Sequence, residues 1–188
     1  MIQQMFNVMC ATVLSKLMLN DVPHALLPDW AEEKLSSLGV KDTMTIEEIF
    51  GCWPVPLYHI TFSNYLPSIL REGLTGTRPK QERALSEMTG KEPIKGVYLT
   101  DDYEGLFEVM GYAWTLHAEE GENIVVLRVD LPRDWKVIPD PEMTTAGEDG
   151  RIYGGVVVSL DPIPASMVTV LKEYTVDEVN AMGGALGL

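Results

Sequence analysis

Cysteine is scarce: the 188 residues hold only Cys10 and Cys52, neither in a CxxC pair. A disulfide framework or zinc site needs more ligands at closer spacing, so two free thiols in a reducing compartment are expected. Histidine offers no metal cluster either, because His24, His59 and His117 lie far apart in the chain. Basic residues are few, 14 against 28 acidic ones, for a net charge of −14. Neutralising phosphates requires Lys and Arg, which excludes broad nucleic-acid binding and makes an anionic lipid surface a poor partner. No unbroken apolar run reaches about 18 residues, so no transmembrane helix is expected. A GxGxxG loop, a Walker A loop and a serine nucleophile elbow are also missing.

What is present suffices for a core. The chain is 46% apolar and 22% charged, and a domain of this length buries about 70% of the surface it exposes when unfolded. The first nineteen residues are apolar, but no Lys or Arg precedes the run and Gln3, Gln4 and Asn7 interrupt it. Ile2, Phe6, Met9, Val13 and Leu17 recur at helical spacing, so the expectation is an amphipathic helix over 2–19, not a signal peptide. A cytoplasmic protein follows from the same reading.

A second helix is expected from Pro28-Asp29 to near Gly39, and a third behind a capping box of Thr45 and Glu48. Trp53-Pro54-Val55-Pro56 marks a boundary. Residues 1–54 are therefore a helical segment packed on a core domain of residues 55–188. In that domain Leu57-Tyr58-His59-Ile60-Thr61 reads as a strand. A short helix follows, with Asn64 as N-cap, Pro67 at N3, Gly73 in the left-handed position beyond its end and Leu74 as the apolar contact. Residues 75–95 are polar and aperiodic and read mostly as loop. Gly96 to Thr100 is a second strand, and Asp101 with Glu104 begins a helix carrying Leu106, Phe107, Met110, Ala113, Trp114 and His117. Gly105 and Gly111 inside it imply close packing against a strand. Further strands are expected at 124–131, 153–160 and 167–174, an acidic loop at 140–150, and a terminal helix capped by Thr175 and Glu178. Short strands with few helices give an α+β fold.

Four features bear on chemistry. His59 and Thr61 share one face of their strand, with Tyr58 and Ile60 on the other. An imidazole beside a hydroxyl at a strand end can hydrogen-bond a ribose, although the tetrapeptide alone reads better as a satisfied half-buried histidine. Tyr98 and Thr100 likewise share a face, and an aromatic ring there can stack on nicotinamide or adenine, or simply fill the core. Residues 71–95 carry six Lys or Arg against four Glu in an otherwise acidic chain. That stretch can hold a pyrophosphate through arginine, or be a solvated loop. Finally, the acidic loop offers Asp140, Glu142, Glu148 and Asp149, of which one can face a positive charge growing on a ribose or accept a proton.

In order and spacing these blocks resemble the ADP-ribosyltransferase-like fold, most nearly the NAD-using branch of DNA-targeting ADP-ribosyltransferase toxins and RNA 2′-phosphotransferases. They are Leu57 to Thr61, Asn64 to Leu74, Gly96 to Thr100 with its helix, Ile124 to Leu131, and a late strand with Ile163-Pro164. The resemblance covers about residues 55–173. It implies a split, mixed β-sheet behind an N-terminal helical extension. It also implies NAD as co-substrate, a macromolecular acceptor, and a role in a toxin or in phage–bacterial conflict.

By the resemblance His59 binds the ribose of NAD, Thr61 contacts the nicotinamide end, Tyr98 stacks on nicotinamide, and Ile60 and Thr100 adjoin the cofactor. Arg71, Arg78 or Arg83 would hold phosphate. The family's glutamate at the start of the penultimate strand has no counterpart in Arg151 to Val156. Glu148 is the best substitute, ahead of Glu142, while Arg151 suits a phosphate-directed reaction. The expected activity is NAD-dependent ADP-ribosyl transfer. The alternatives are an RNA 2′-phosphotransferase and an inactive acidic binding or inhibitor protein on the same fold.

Overall fold

Runs of β-branched and aromatic residues supply the strands of this chain. A computed structural model describes residues 27–39, 41, 43–51, 53–76, 79–143, 145–146, 152–153 and 155–183. The helix expected over 2–19 lies outside them. In chain order the elements are α1 (Asp29–Ser37), β1 (Met44–Thr45), α2 (Ile46–Phe50), β2 (Leu57–Phe62), a 3-10 turn (Ser63–Tyr65), α3 (Leu66–Glu72) and α4 (Pro79–Thr89). Then come β3 (Val97–Thr100), α5 (Tyr103–Leu116), β4 (Ile124–Val129), β5 (Lys136–Pro139), β6 (Thr145–Ala146), β7 (Ile152–Tyr153) and β8 (Val156–Ser159). A second 3-10 turn (Ala165–Met167), β9 (Val168–Tyr174) and α6 (Val176–Gly183) complete the described chain.

The fold is α+β. Seven strands form one sheet in the order β1-β5-β8-β3-β2-β4-β9, and β6 pairs with β7 separately. Every described pairing is antiparallel, which corrects the expected mixed sheet. The ladders are uneven. β2 and β4 pair over six residues and β3 and β8 over four, whereas β2 and β3 meet only at Tyr58 and Thr100.

Alternation divides the side chains between two faces. One face carries Leu57, Val97, Leu99, Val125, Leu127, Val129 and Val157. They pack with Ile46 and Ile49 of α2 and Ile69 of α3 in a single apolar cluster. On the other face two clusters stand apart. Ile60, Phe62, Ile124 and Val126 pack under α5 and α6, through Phe107, Trp114 and Val179. Ile138 and Val158 pack under α1, through Ala31 and Leu35. Residues 44–45 pair with β5, so part of the N-terminal segment belongs to the sheet itself.

Several local expectations change. Residues 79–89 form α4 in place of a loop: Pro79 opens it, good helix formers fill it, and Gly90 ends it at φ +68°. Few of its residues are apolar. Polar contacts hold it instead, ion pairs from Lys80 to Glu119 and Glu122 (both 2.8 Å) and a hydrogen bond between Glu87 and His117 (3.0 Å). Asn64 lies in the 3-10 turn, so α3 begins at Leu66 with Tyr65 as its cap. Gly73 has φ 87° and ψ −170°, which is not the left-handed helical region. A Cβ there would lie 2.2 Å from the Ile163 carbonyl oxygen, because Leu74 and Ile163 exchange two 2.8 Å backbone hydrogen bonds. Asp102, not Asp101, caps α5 by accepting from the Gly105 amide. Gly111 packs against a helix where a strand was expected: a Cβ would come within 3.0 Å of Val179 on α6.

Candidate functional site

The site is built where β2 and β3 part. Tyr58 and Thr100 are the registered pair between them. The Tyr98 carbonyl takes a partner from the side: His59 Nδ1 lies 2.9 Å from its oxygen. A carbonyl only accepts, so Nδ1 carries the hydrogen. The imidazole is 4% exposed and spans the parting of the strands.

A recess opens over this parting, on the sheet face that carries two separate clusters. The strands line it with Tyr58, His59, Ile60, Tyr98, Leu99, Thr100 and Val156. Leu106, Met110 and Trp114 of α5 wall one side, Leu85 of α4 another, and Asp140 and Met143 complete it. Counted out to its open mouth it holds about 510 Å³.

The His59 and Tyr98 rings lie on opposite faces of the sheet, which corrects the expectation that both face one bound dinucleotide. By register His59 and Thr61 share the side of Leu57 and Leu99, while Tyr98 and Thr100 share the side of Tyr58 and Ile60. They are joined through the Tyr98 backbone. Burial, with the nearby Asp140 charge adding, holds the Tyr98 phenol well above the usual tyrosine range, against a backbone hydrogen bond from Ile94. The ring is neutral at physiological pH. Thr100 lines the recess, but its hydroxyl accepts from the Asp102 amide (3.1 Å) and faces the Asp102 carbonyl (3.2 Å).

The carboxylate in this recess is Asp140. Its amide donates to the Val156 carbonyl (2.9 Å), continuing the β5–β8 ladder, and its Oδ1 accepts from the Glu142 amide (2.9 Å). Asp140 is 6% exposed. Burial raises its pKa from 3.8 to about 6, the Glu142 charge adding and the Glu142 and Met143 amides and Lys91 opposing.

The other candidates lie elsewhere. Thr61 is fully buried on the opposite face, outside the recess, and its hydroxyl finds no hydrogen-bond partner among the described residues. Arg71 is exposed and paired with Glu72 at 2.6 Å. Arg83 is exposed on α4 and does not line the recess. Glu142 is bound to Lys91 at 2.5 Å. Arg78, Glu148 and Arg151 lie outside the described residues. Among the described residues no Lys or Arg lines the recess, and no group of three His, Cys, Asp or Glu is placed to hold a metal.

Sequence reasoning gave Asp140 only as one member of an acidic loop, and named Leu106, Met110 and Trp114 only among the residues of a helix. Their spacing of four was the available signal, since it sets three large side chains in line above one strip of sheet. Comparison of the chain with protein-family models, with curated proteins and with solved structures finds no match.

Proposed function

We propose that the recess takes the nicotinamide end of NAD⁺ and that the protein transfers ADP-ribose to a macromolecular acceptor. The supporting observation is that Tyr98 and Asp140 line one aromatic-walled recess, with the His59 imidazole behind it bonded to the Tyr98 backbone carbonyl. Tyr98, Tyr58 and Trp114 offer aromatic surface to a planar ring. His59 fixes the β2–β3 parting beside the ribose. The bond between nicotinamide nitrogen and ribose C1′ breaks with its electron pair going to nitrogen. Asp140 faces the positive charge left on the sugar. The acceptor's attacking atom then bonds to C1′ and gives up its proton. The rest of the dinucleotide extends past the mouth.

The test is nicotinamide release with NAD⁺ in excess. Wild-type protein should release it, and His59→Ala should lose the signal while a thermal melt reports whether the variant is folded. An unchanged rate in a folded variant refutes the assignment. A binding protein without turnover is the second reading. It is favoured by the recess lining, which among the described residues holds no Lys or Arg for a pyrophosphate. The same feature weakens the RNA 2′-phosphotransferase alternative. NAD⁺ binding by calorimetry without nicotinamide release would establish the second reading.

A further inference from the structure

The geometry points to a recess that selects an organic cation, an N-alkylated aromatic ring, over its neutral counterpart. This rests on the recess being a ligand site, as above, and adds the charge of the group it accepts. Asp140 is buried at its edge, and among the described residues no lysine or arginine forms an ion pair with it. The basic group that lowers its pKa, Lys91, is bound to Glu142 and lies over the Trp30 ring, 4.7 Å from its centroid. A buried carboxylate left so is costly unless a cation arrives.

The walls decide which cation. Tyr58, Tyr98 and Trp114 present aromatic surface, which attracts positive charge, and Met110 and Met143 add polarisable sulfur. A metal ion would want several oxygen ligands, and the side-chain oxygens in this lining belong to one carboxylate, two phenols and the already engaged Thr100 hydroxyl. A neutral ring would satisfy the aromatics but leave the carboxylate uncompensated, and an anion would be repelled. A flat ring carrying a fixed positive charge meets both demands. The pyridinium of NAD⁺ is such a ring, and the nicotinamide released from it is not.

The experiment titrates the full chain at pH 8 with 1-methylnicotinamide, which is cationic, and nicotinamide, which is neutral. Tetramethylammonium serves as a cation without a ring, and binding is read by calorimetry. Wild-type protein should bind 1-methylnicotinamide about tenfold more tightly than nicotinamide, with tetramethylammonium weaker than 1-methylnicotinamide. Asp140→Asn should abolish the tenfold preference and leave nicotinamide affinity within about threefold. The wild-type comparison stands alone if that variant fails to fold. Equal affinity of wild type for the two rings overturns the inference, as does a folded Asp140→Asn protein that keeps the preference. Tighter binding of tetramethylammonium overturns the aromatic part. Cation preference without nicotinamide release upholds the inference and refutes the transferase. Release without the preference does the reverse.

Discussion

The two faces of the sheet are filled differently. One is covered by a single continuous cluster, from Ile46 on α2 to Val168 on β9, with Leu57, Leu99 and Leu127 at most 1% exposed. The other has two clusters, one under α5 and α6 and one under α1, with the recess between them. The first face is a foundation. The second leaves hydrocarbon unpacked where β2 and β3 diverge and sets Asp140, Tyr98 and Thr100 in the gap. A carboxylate raised to about pH 6 by burial is a local cost to stability, and such costs gather where a protein binds or reacts.

The comparison is broken most directly by truncating leucines on each face. Leu127→Ala on the closed face should cost about 3 kcal/mol in urea denaturation. Leu106→Ala, beside an existing void, should cost only about 1 kcal/mol. Equal losses would mean that the second face is as tightly filled as the first. Next is His59→Ala, for which nicotinamide release should fall about a hundredfold with folding retained.

Asp140→Asn sharpens the contrast through pH. The folded-state pKa lies above the unfolded one, so the native protein binds this proton more tightly. Stability therefore falls as pH rises from about 4 to about 6, and stays lowered above that. The ionised carboxylate costs at most about 3 kcal/mol. The Asn variant should unfold later than wild type in urea at pH 8 and show no such gain at pH 4. The smallest effect concerns Thr61, whose unsatisfied hydroxyl belongs to the closed face. Thr61→Val should stabilise by about 1 kcal/mol and leave nicotinamide release unchanged. A large loss of release would return that hydroxyl to the site.

Alternation made β2 and β3 readable, and with them the shared faces of His59 with Thr61 and of Tyr98 with Thr100. Capping boxes located α2 and α6, and both form as expected, with Thr45 and Thr175 each accepting from the amide three residues on. The one-pair meeting of β2 and β3 was not readable, because register between strands is set by distant partners and turn geometry. That unread register is why the His59 ring meets the Tyr98 backbone carbonyl and not the Tyr98 ring. Lys136 to Pro139 went unread as a strand, being four residues ending in proline, so nothing signalled that Asp140 would be carried to the recess. Helix α4 escaped because its polar contacts lie across the chain, Lys80 to Glu119 and Glu122 and Glu87 to His117.

Because the β2–β3 ladder is registered only at Tyr58 and Thr100, pairing divides the sheet into two leaves, four strands on one side and three on the other, joined there and again by the His59 side chain. Each leaf is rigid along its own ladders, so any swelling of the space between them must be taken up at that stitch. A guest that wedges in would turn one leaf against the other, carrying the movement out to the solvent-exposed middle of β9 at the rim of the three-stranded leaf.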